Sequence, residues 1–167
     1  LLFALLAFAV VFAVGITVFF NKEEDKKLYN IGAVNYGDKI IEMKDINNTV
    51  KDGKIIIPLK DIKENGIIFT QYSQNGKTVP LTAFVTPSGD VTAAVSMCEP
   101  CVGIRFHIDG KELVCNACGT RWTLDGLEGV WGGCLKYPPD TLNYEVDPDG
   151  TNILLDEQEV IAWQPRK

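Results

Sequence analysis

Four cysteines constrain this chain more than any other feature. Cys98-Glu99-Pro100-Cys101 is followed, after thirteen intervening residues, by Cys115-Asn116-Ala117-Cys118. Two Cys-x-x-Cys pairs at this separation are the donor pattern of a metal site, because the two sulfurs of one tight turn can face the same ion. Two such turns, presented on two hairpin tips, close a four-thiolate pocket whose backbone N–H groups face the sulfurs. The pocket suits zinc, iron or an iron–sulfur cluster, with copper as a further alternative. Neither pair is followed by His, since Val102 and Gly119 take that place, so covalent attachment of a c-type haem is disfavoured. The competing arrangement is a pair of disulfides, which an oxidising compartment would favour. Against it stand an odd total of five cysteines and the small loops that a bridge within one pair would close. The fifth, Cys134, is a candidate further ligand; a packed free thiol and an intermolecular bridge are its other readings.

The second constraint is an apolar run. Residues 1–20 contain 18 apolar residues, with only Gly15 and Thr17 outside that class. As a helix, twenty residues cover roughly 30 Å, the thickness of a bilayer hydrocarbon core. Asn21-Lys22-Glu23-Glu24-Asp25-Lys26-Lys27 then ends the run. No small-residue cleavage pattern precedes Asn21, so the run reads as a retained anchor rather than a removed signal. The chain does not open with Met, and an apolar stem behind a removed leader is also similar to a pilin stem. Leu5 stands where many bacterial pilins carry an acidic residue. The expected organisation is a transmembrane or filament-core helix over 1–20, a linker over 21–27 and a metal-binding β domain over 28–167. The body then faces the extracytoplasmic side, as a membrane-anchored monomer or as a homo-oligomer in a cell-surface filament. One flank is missing, so charge does not fix the orientation.

The body is acidic, with 22 Asp and Glu against 16 Lys and Arg in the whole chain and a formal charge of −6. A nucleic-acid partner is disfavoured, because such binding needs a basic surface that displaces counterions. The same charge suits steering a cationic partner or a metal ion. The single His, His107, rules out any site that needs two imidazoles from this chain. No Gly-rich phosphate loop or Ser-His-Asp set is present, so the chain reads as an electron carrier or metal-binding protein rather than an enzyme with its own substrate pocket.

Beyond Leu28 short β-rich runs alternate with turn signals, and no long 3.6-residue period appears. Strands are expected over 39–43, 54–59, 67–72, 77–84, 82–86, 91–95, 104–108, 112–115, 142–146 and 152–155. Lys51-Asp52-Gly53 is a turn, and Asn75-Gly76 favours the positive φ angles of a tight hairpin. Further turns are Pro87-Ser88-Gly89-Asp90, Asp109-Gly110-Lys111 and Asp147-Pro148-Asp149-Gly150. Pro58 marks a sheet edge or a strand end. His107 falls on the face opposite Ile104, Phe106 and Ile108, as a solvated strand residue. The expected class is all-β, a sandwich or barrel. Trp122, Trp131 and Tyr137 read as local core and shielding around the metal loops, and Gly132 and Gly133 as points of close backbone approach.

The surroundings of the second pair carry a resemblance. Cys115-Asn116-Ala117-Cys118-Gly119-Thr120-Arg121-Trp122 leads to Gly132-Gly133-Cys134, then Pro138-Pro139 and a closing strand at Tyr144-Glu145-Val146. This resembles the second cluster-binding loop of Rieske proteins, with Cys118 where that family has His and with Cys98/Cys101 replacing a C-x-H box. The all-Cys version, together with Ile57-Pro58-Leu59 and the apolar N-terminus, resembles the membrane iron–sulfur-containing, FtrD-like family over about residues 30–160. Lys136-Tyr137, between Cys134 and the proline pair, departs from that pattern and lengthens the covering loop. The resemblance implies a Rieske-like β domain and a redox or metal-handling role beside a redox partner or an iron-uptake permease. It also implies a cofactor held by Cys98, Cys101, Cys115 and Cys118, with Cys134 on the covering loop. Thiolates in place of neutral imidazoles would lower the potential toward about −400 mV, away from the Rieske range above about −150 mV.

Overall fold

The computed structural model describes residues 28–166. The apolar run 1–20 and the linker 21–27 lie outside the described residues. Among the described residues no helix is long and apolar enough to cross a membrane.

Three open sheets make up the fold. The first contains β3 (Thr49–Lys51), β4 (Lys54–Pro58), β12 (Tyr144–Val146) and β13 (Asn152–Asp156), in the order β12-β13-β4-β3. The second contains β2 (Lys44–Asp45), β5 (Ile67–Gln74), β6 (Lys77–Val85) and β7 (Val91–Val95), in the order β2-β5-β6-β7. The third runs β1-β8-β9-β10-β11, with β1 (Ile40–Glu42), β8 (Phe106–Asp109), β9 (Glu112–Cys115), β10 (Arg121–Thr123) and β11 (Gly129–Trp131). Two short helices, α1 (Leu59–Asn65) and α2 (Glu157–Ala162), and a 3-10 turn at Glu99–Cys101 complete the described elements.

The predominance of β structure agrees with the sequence reading; a closed barrel does not form. The reason lies in β6 and β7. All five residues of β7 are buried, as are Val79 to Val85 of β6. A strand that is apolar on both faces needs cover on both, as a middle layer has. One face, through Leu81, Ala83 and Val85, packs with Ile55, Ile57, Ile153 and Leu155 of the first sheet. The other, through Ile67 and Phe84, packs with Phe106, Ile108, Leu113 and Trp122 of the third.

Turn chemistry sets the registers. Asn75 and Gly76 have φ of 52° and 78° and close the eight-pair β5–β6 hairpin. That is the primed two-residue turn which matches the strand twist. Asp52 and Gly53, at 52° and 75°, do the same between β3 and β4. Pro58 ends β4 and caps α1, but β4 is a central strand paired with both β13 and β3, so the strand-end reading holds and the edge reading does not. The 77–84 and 82–86 runs are one continuous strand, β6. His107 is half-buried beside buried Phe106 and Ile108, on the face expected.

Candidate metal centre

The two cysteine pairs sit on different kinds of turn. The second is a true hairpin tip. Cys115 ends β9, Cys118 lies in the connection, and β10 returns antiparallel with Arg121 opposite Val114. The first is not a hairpin tip, because β7 and β8 belong to different sheets. It is a single 3-10 turn, Glu99–Cys101, on the chain that crosses from the middle layer to the third sheet. A bridge from Cys98 N–H to the Gly103 carbonyl (2.7 Å) closes this turn, and the Ser96 hydroxyl donates to the Ile104 carbonyl (2.8 Å). Asn116 N–H donates to the Arg105 carbonyl (2.9 Å), and the His107 Nδ1 lies 2.7 Å from Asn116 Oδ1, so the two turns are tied to each other.

These ties bring four sulfurs together. The Sγ atoms of Cys98, Cys101, Cys115 and Cys118 all lie within 4.8 Å of one another, close enough to hold a metal ion. Cys98 and Cys118 are 3.9 Å apart, and Cys101 and Cys115 are 3.7 Å apart. All five cysteines are free, and these separations are far longer than the roughly 2.05 Å of a disulfide. For a tetrahedron with metal–sulfur bonds of about 2.3 Å, the expected sulfur–sulfur edge is about 3.8 Å, so the donor set fits a thiolate-bound metal. Cys134 Sγ lies 3.9 Å from Cys118 Sγ but outside the set of four.

Burial divides the quartet. Cys98 and Cys115 are buried, Cys101 is half-buried and Cys118 is exposed. Burial pushes the Cys98 thiol far up and the Cys115 thiol up to about 11, although the N–H groups of Cys118 and Ala117 donate to Cys115 Sγ and work against the rise. Burial also acts to raise Cys118. Hydrogen bonds from the Thr120 side chain and backbone N–H outweigh it, with help from the Cys101 and Cys115 thiols, and bring Cys118 down to about 6. Burial raises the Cys134 thiol as well. Deprotonated thiolates are the ligand form, and the donors aimed at Cys115 and Cys118 favour that form.

Two residues that shape the site carry weak sequence signals. Thr120 is fully buried; its hydroxyl lies 3.3 Å from Cys118 Sγ and accepts the Cys134 N–H at 3.2 Å. Gly103 presses its backbone on the sulfurs: a Cβ there would stand 2.9 Å from Cys115 Sγ and 3.2 Å from Cys101 Sγ. The only signals were a glycine two places beyond Cys101 and a hydroxyl two places beyond Cys118. Gly132 makes the expected close approach, with a Cβ there falling 2.5 Å from Thr120 Oγ1, but among the described residues nothing lies within 4 Å of a Cβ at Gly133. Trp122 is core, and its indole N–H donates to the Leu135 carbonyl (3.0 Å) on the covering loop. Trp131 is not core: it is 65% exposed and stands against Gly119. Arg166 clamps the first turn from outside, pairing with Glu99 at 2.5 Å and Asp140 at 3.0 Å.

With this geometry in view, the comparisons with known proteins have a physical counterpart. A family model described as membrane iron-sulfur containing protein FtrD-like matches residues 62–166, a span that holds all five cysteines. No curated protein and no solved structure matches the chain. The matched span covers more than half of the sequence, and the chain therefore belongs to the FtrD-like family of membrane iron–sulfur-containing proteins.

Proposed function

We propose that this protein is a membrane-anchored, extracytoplasmic electron carrier whose Cys98, Cys101, Cys115 and Cys118 hold its iron–sulfur centre. Residues 1–20 are the tether, 21–27 the linker and 28–167 the domain, a Rieske-like arrangement with Cys in place of His. Thiolate-bound iron supplies a one-electron ferric/ferrous couple. The protein takes single electrons from a redox partner and passes them to ferric or cupric ions, each reduced by one charge, for uptake through a neighbouring metal permease.

The observation that carries this reading is the asymmetric burial of one compact quartet. Cys98 and Cys115 anchor it in the core, while Cys118 reaches the surface. Purely structural zinc sites need no such exposed edge, whereas outer-sphere transfer needs a short path to a partner. The surface beside that edge fits contact with another protein. Val102, 68% exposed, follows Cys101, and exposed Trp131 stands against Gly119. These two are the most exposed large apolar side chains among the described residues, and aromatic side chains such as Trp131 are enriched at interfaces.

Anaerobic purification followed by a redox titration tests the proposal. The expected result is a coloured protein that bleaches and recovers reversibly with one electron per centre. A colourless protein holding one tightly bound zinc sinks it.

A further inference from the structure

The geometry points to a single iron ion held by Cys98, Cys101, Cys115 and Cys118 without inorganic sulfide, and to Cys134 lying outside its coordination set. This inference rests on the reading above that the quartet holds iron, and goes beyond it to the number of metals.

The first ground is size. All six sulfur–sulfur separations in the quartet are at most 4.8 Å, and two cross-turn contacts are 3.7 and 3.9 Å. One tetrahedral ion requires edges of about 3.8 Å. A second iron bridged by sulfide moves two of the four thiolates outward by about the metal–metal separation, which sets the pairs roughly 5–6 Å apart. The quartet is too compact for that.

The second ground is what the two turns share, although one is a 3-10 turn and the other a hairpin tip. Cys98 N–H donates to the Gly103 carbonyl at 2.7 Å, and Cys115 N–H donates to the Thr120 carbonyl at 2.9 Å. The residue after each pair takes a left-handed conformation, Val102 at φ 56° and Gly119 at φ 71°. In each turn the first cysteine is the buried one. Two turns with these shared features, facing each other, present their four sulfurs to one point between them rather than two separate pairs to two points.

The third ground is what closes the sides. The Gly103 backbone stands against Cys101 and Cys115, where even a methyl group would meet sulfur at 2.9 Å. Cys134 stands against Cys118, at 3.9 Å, and against the Cys98 thiol, held there by its own N–H on Thr120 Oγ1, but it does not fall within the compact set of four. Expansion toward either side would break one of these contacts. Cys134 therefore serves as a neighbour that covers the quartet rather than as a member of it.

The test uses the full-length chain, purified anaerobically, stripped, and reloaded with ferrous iron and sulfide both in excess. We expect one iron per chain, no acid-labile sulfide, and a high-spin ferric EPR signal after oxidation. Cys134→Ser should load the same single iron with the same signal. Two or more irons with matching labile sulfide overturn the inference and leave the electron-carrier reading standing. Loss of the iron from a folded Cys134→Ser variant likewise overturns it. A chain that takes up no iron at all overturns both.

Discussion

The middle sheet is shared by two cores that depend on different chemistry. The first core, between the middle and first sheets, consists of seventeen buried residues, none of them cysteine. Isoleucine, leucine, valine and alanine dominate it, and burial alone holds it together. The second core, between the middle and third sheets, has ten buried residues, three of which are Cys98, Cys115 and Cys134. In the proposed centre a ligating thiolate is not a small hydrophobe. Without its metal it must be protonated or left as a buried charge. With the proposed centre bound, one half of the molecule is thus stabilised by apolar area and the other by apolar area together with the metal.

The largest effect that separates the halves is metal removal. Chelation should open the third sheet locally while leaving the first core folded. Amides of β9, β10 and residues 98–103 should exchange on the order of 100-fold faster, with β4 and β13 unchanged within about threefold. Uniform loss of protection across both cores would break the distinction.

Truncation of Trp122 comes next. Its side chain fills the second core and its indole N–H holds the Leu135 carbonyl of the covering loop. Trp122→Ala should cost about 3–5 kcal/mol in denaturant unfolding of the metal-loaded protein. It should also speed metal loss to a chelator, whereas Leu155→Ala, in the first core, should cost about 2–5 kcal/mol with no change in that rate.

A smaller effect compares the two cysteine turns themselves. Both need a left-handed residue after the second cysteine, and one supplies Gly119 while the other supplies β-branched Val102. Valine at φ 56° stores roughly 1–3 kcal/mol of strain. Val102→Gly should therefore raise stability by about 1 kcal/mol after the added entropy of the unfolded glycine, and Gly119→Val should lower it by a similar amount or more. Thermal unfolding of the two variants decides this; equal losses from both would mean that Val102 is unstrained.

The smallest effect belongs to the metal-free half. Asp147, in the β12–β13 turn, accepts from the Asn152 side-chain amide and from the backbone N–H groups of Thr151 and Asn152, which hold its carboxyl at about 2. Its folded value is depressed below the unfolded value of about 3.9. The stabilisation is therefore complete above about pH 4 and is lost as pH falls toward 2. Urea midpoints at pH 5 and 2.5 should drop further for the wild type than for Asp147→Asn. An equal drop in both would remove Asp147 from the acid response.

Much of this was legible in the sequence where the signal is local. Asp52-Gly53 and Asn75-Gly76 announced their turns because the required positive φ angles favour these residue types. The cysteine quartet was legible because its donors come in pairs within single turns. The helices α1 and α2 were not, since seven and six residues are too few to reveal a 3.6-residue period, and α1 follows directly on an apolar strand. Strand β11 was missed because all three of its residues are exposed and it has no apolar alternation. The third layer was hidden because cover on both faces of a sheet is a tertiary fact. Its trace is the unbroken burial of Val91-Thr92-Ala93-Ala94-Val95, which a two-layer reading leaves unexplained. Thr120 was overlooked for a similar reason, as only the folded loop sets its hydroxyl between Cys118 and the Cys134 amide.

X-ray absorption at the iron edge of the anaerobically loaded full-length protein tests most directly whether the quartet converges on one redox metal. A single shell of about four sulfurs near 2.3 Å, with no iron–iron scattering, is the result expected. An iron neighbour in the second shell, or nitrogen and oxygen in place of the sulfurs, would contradict it.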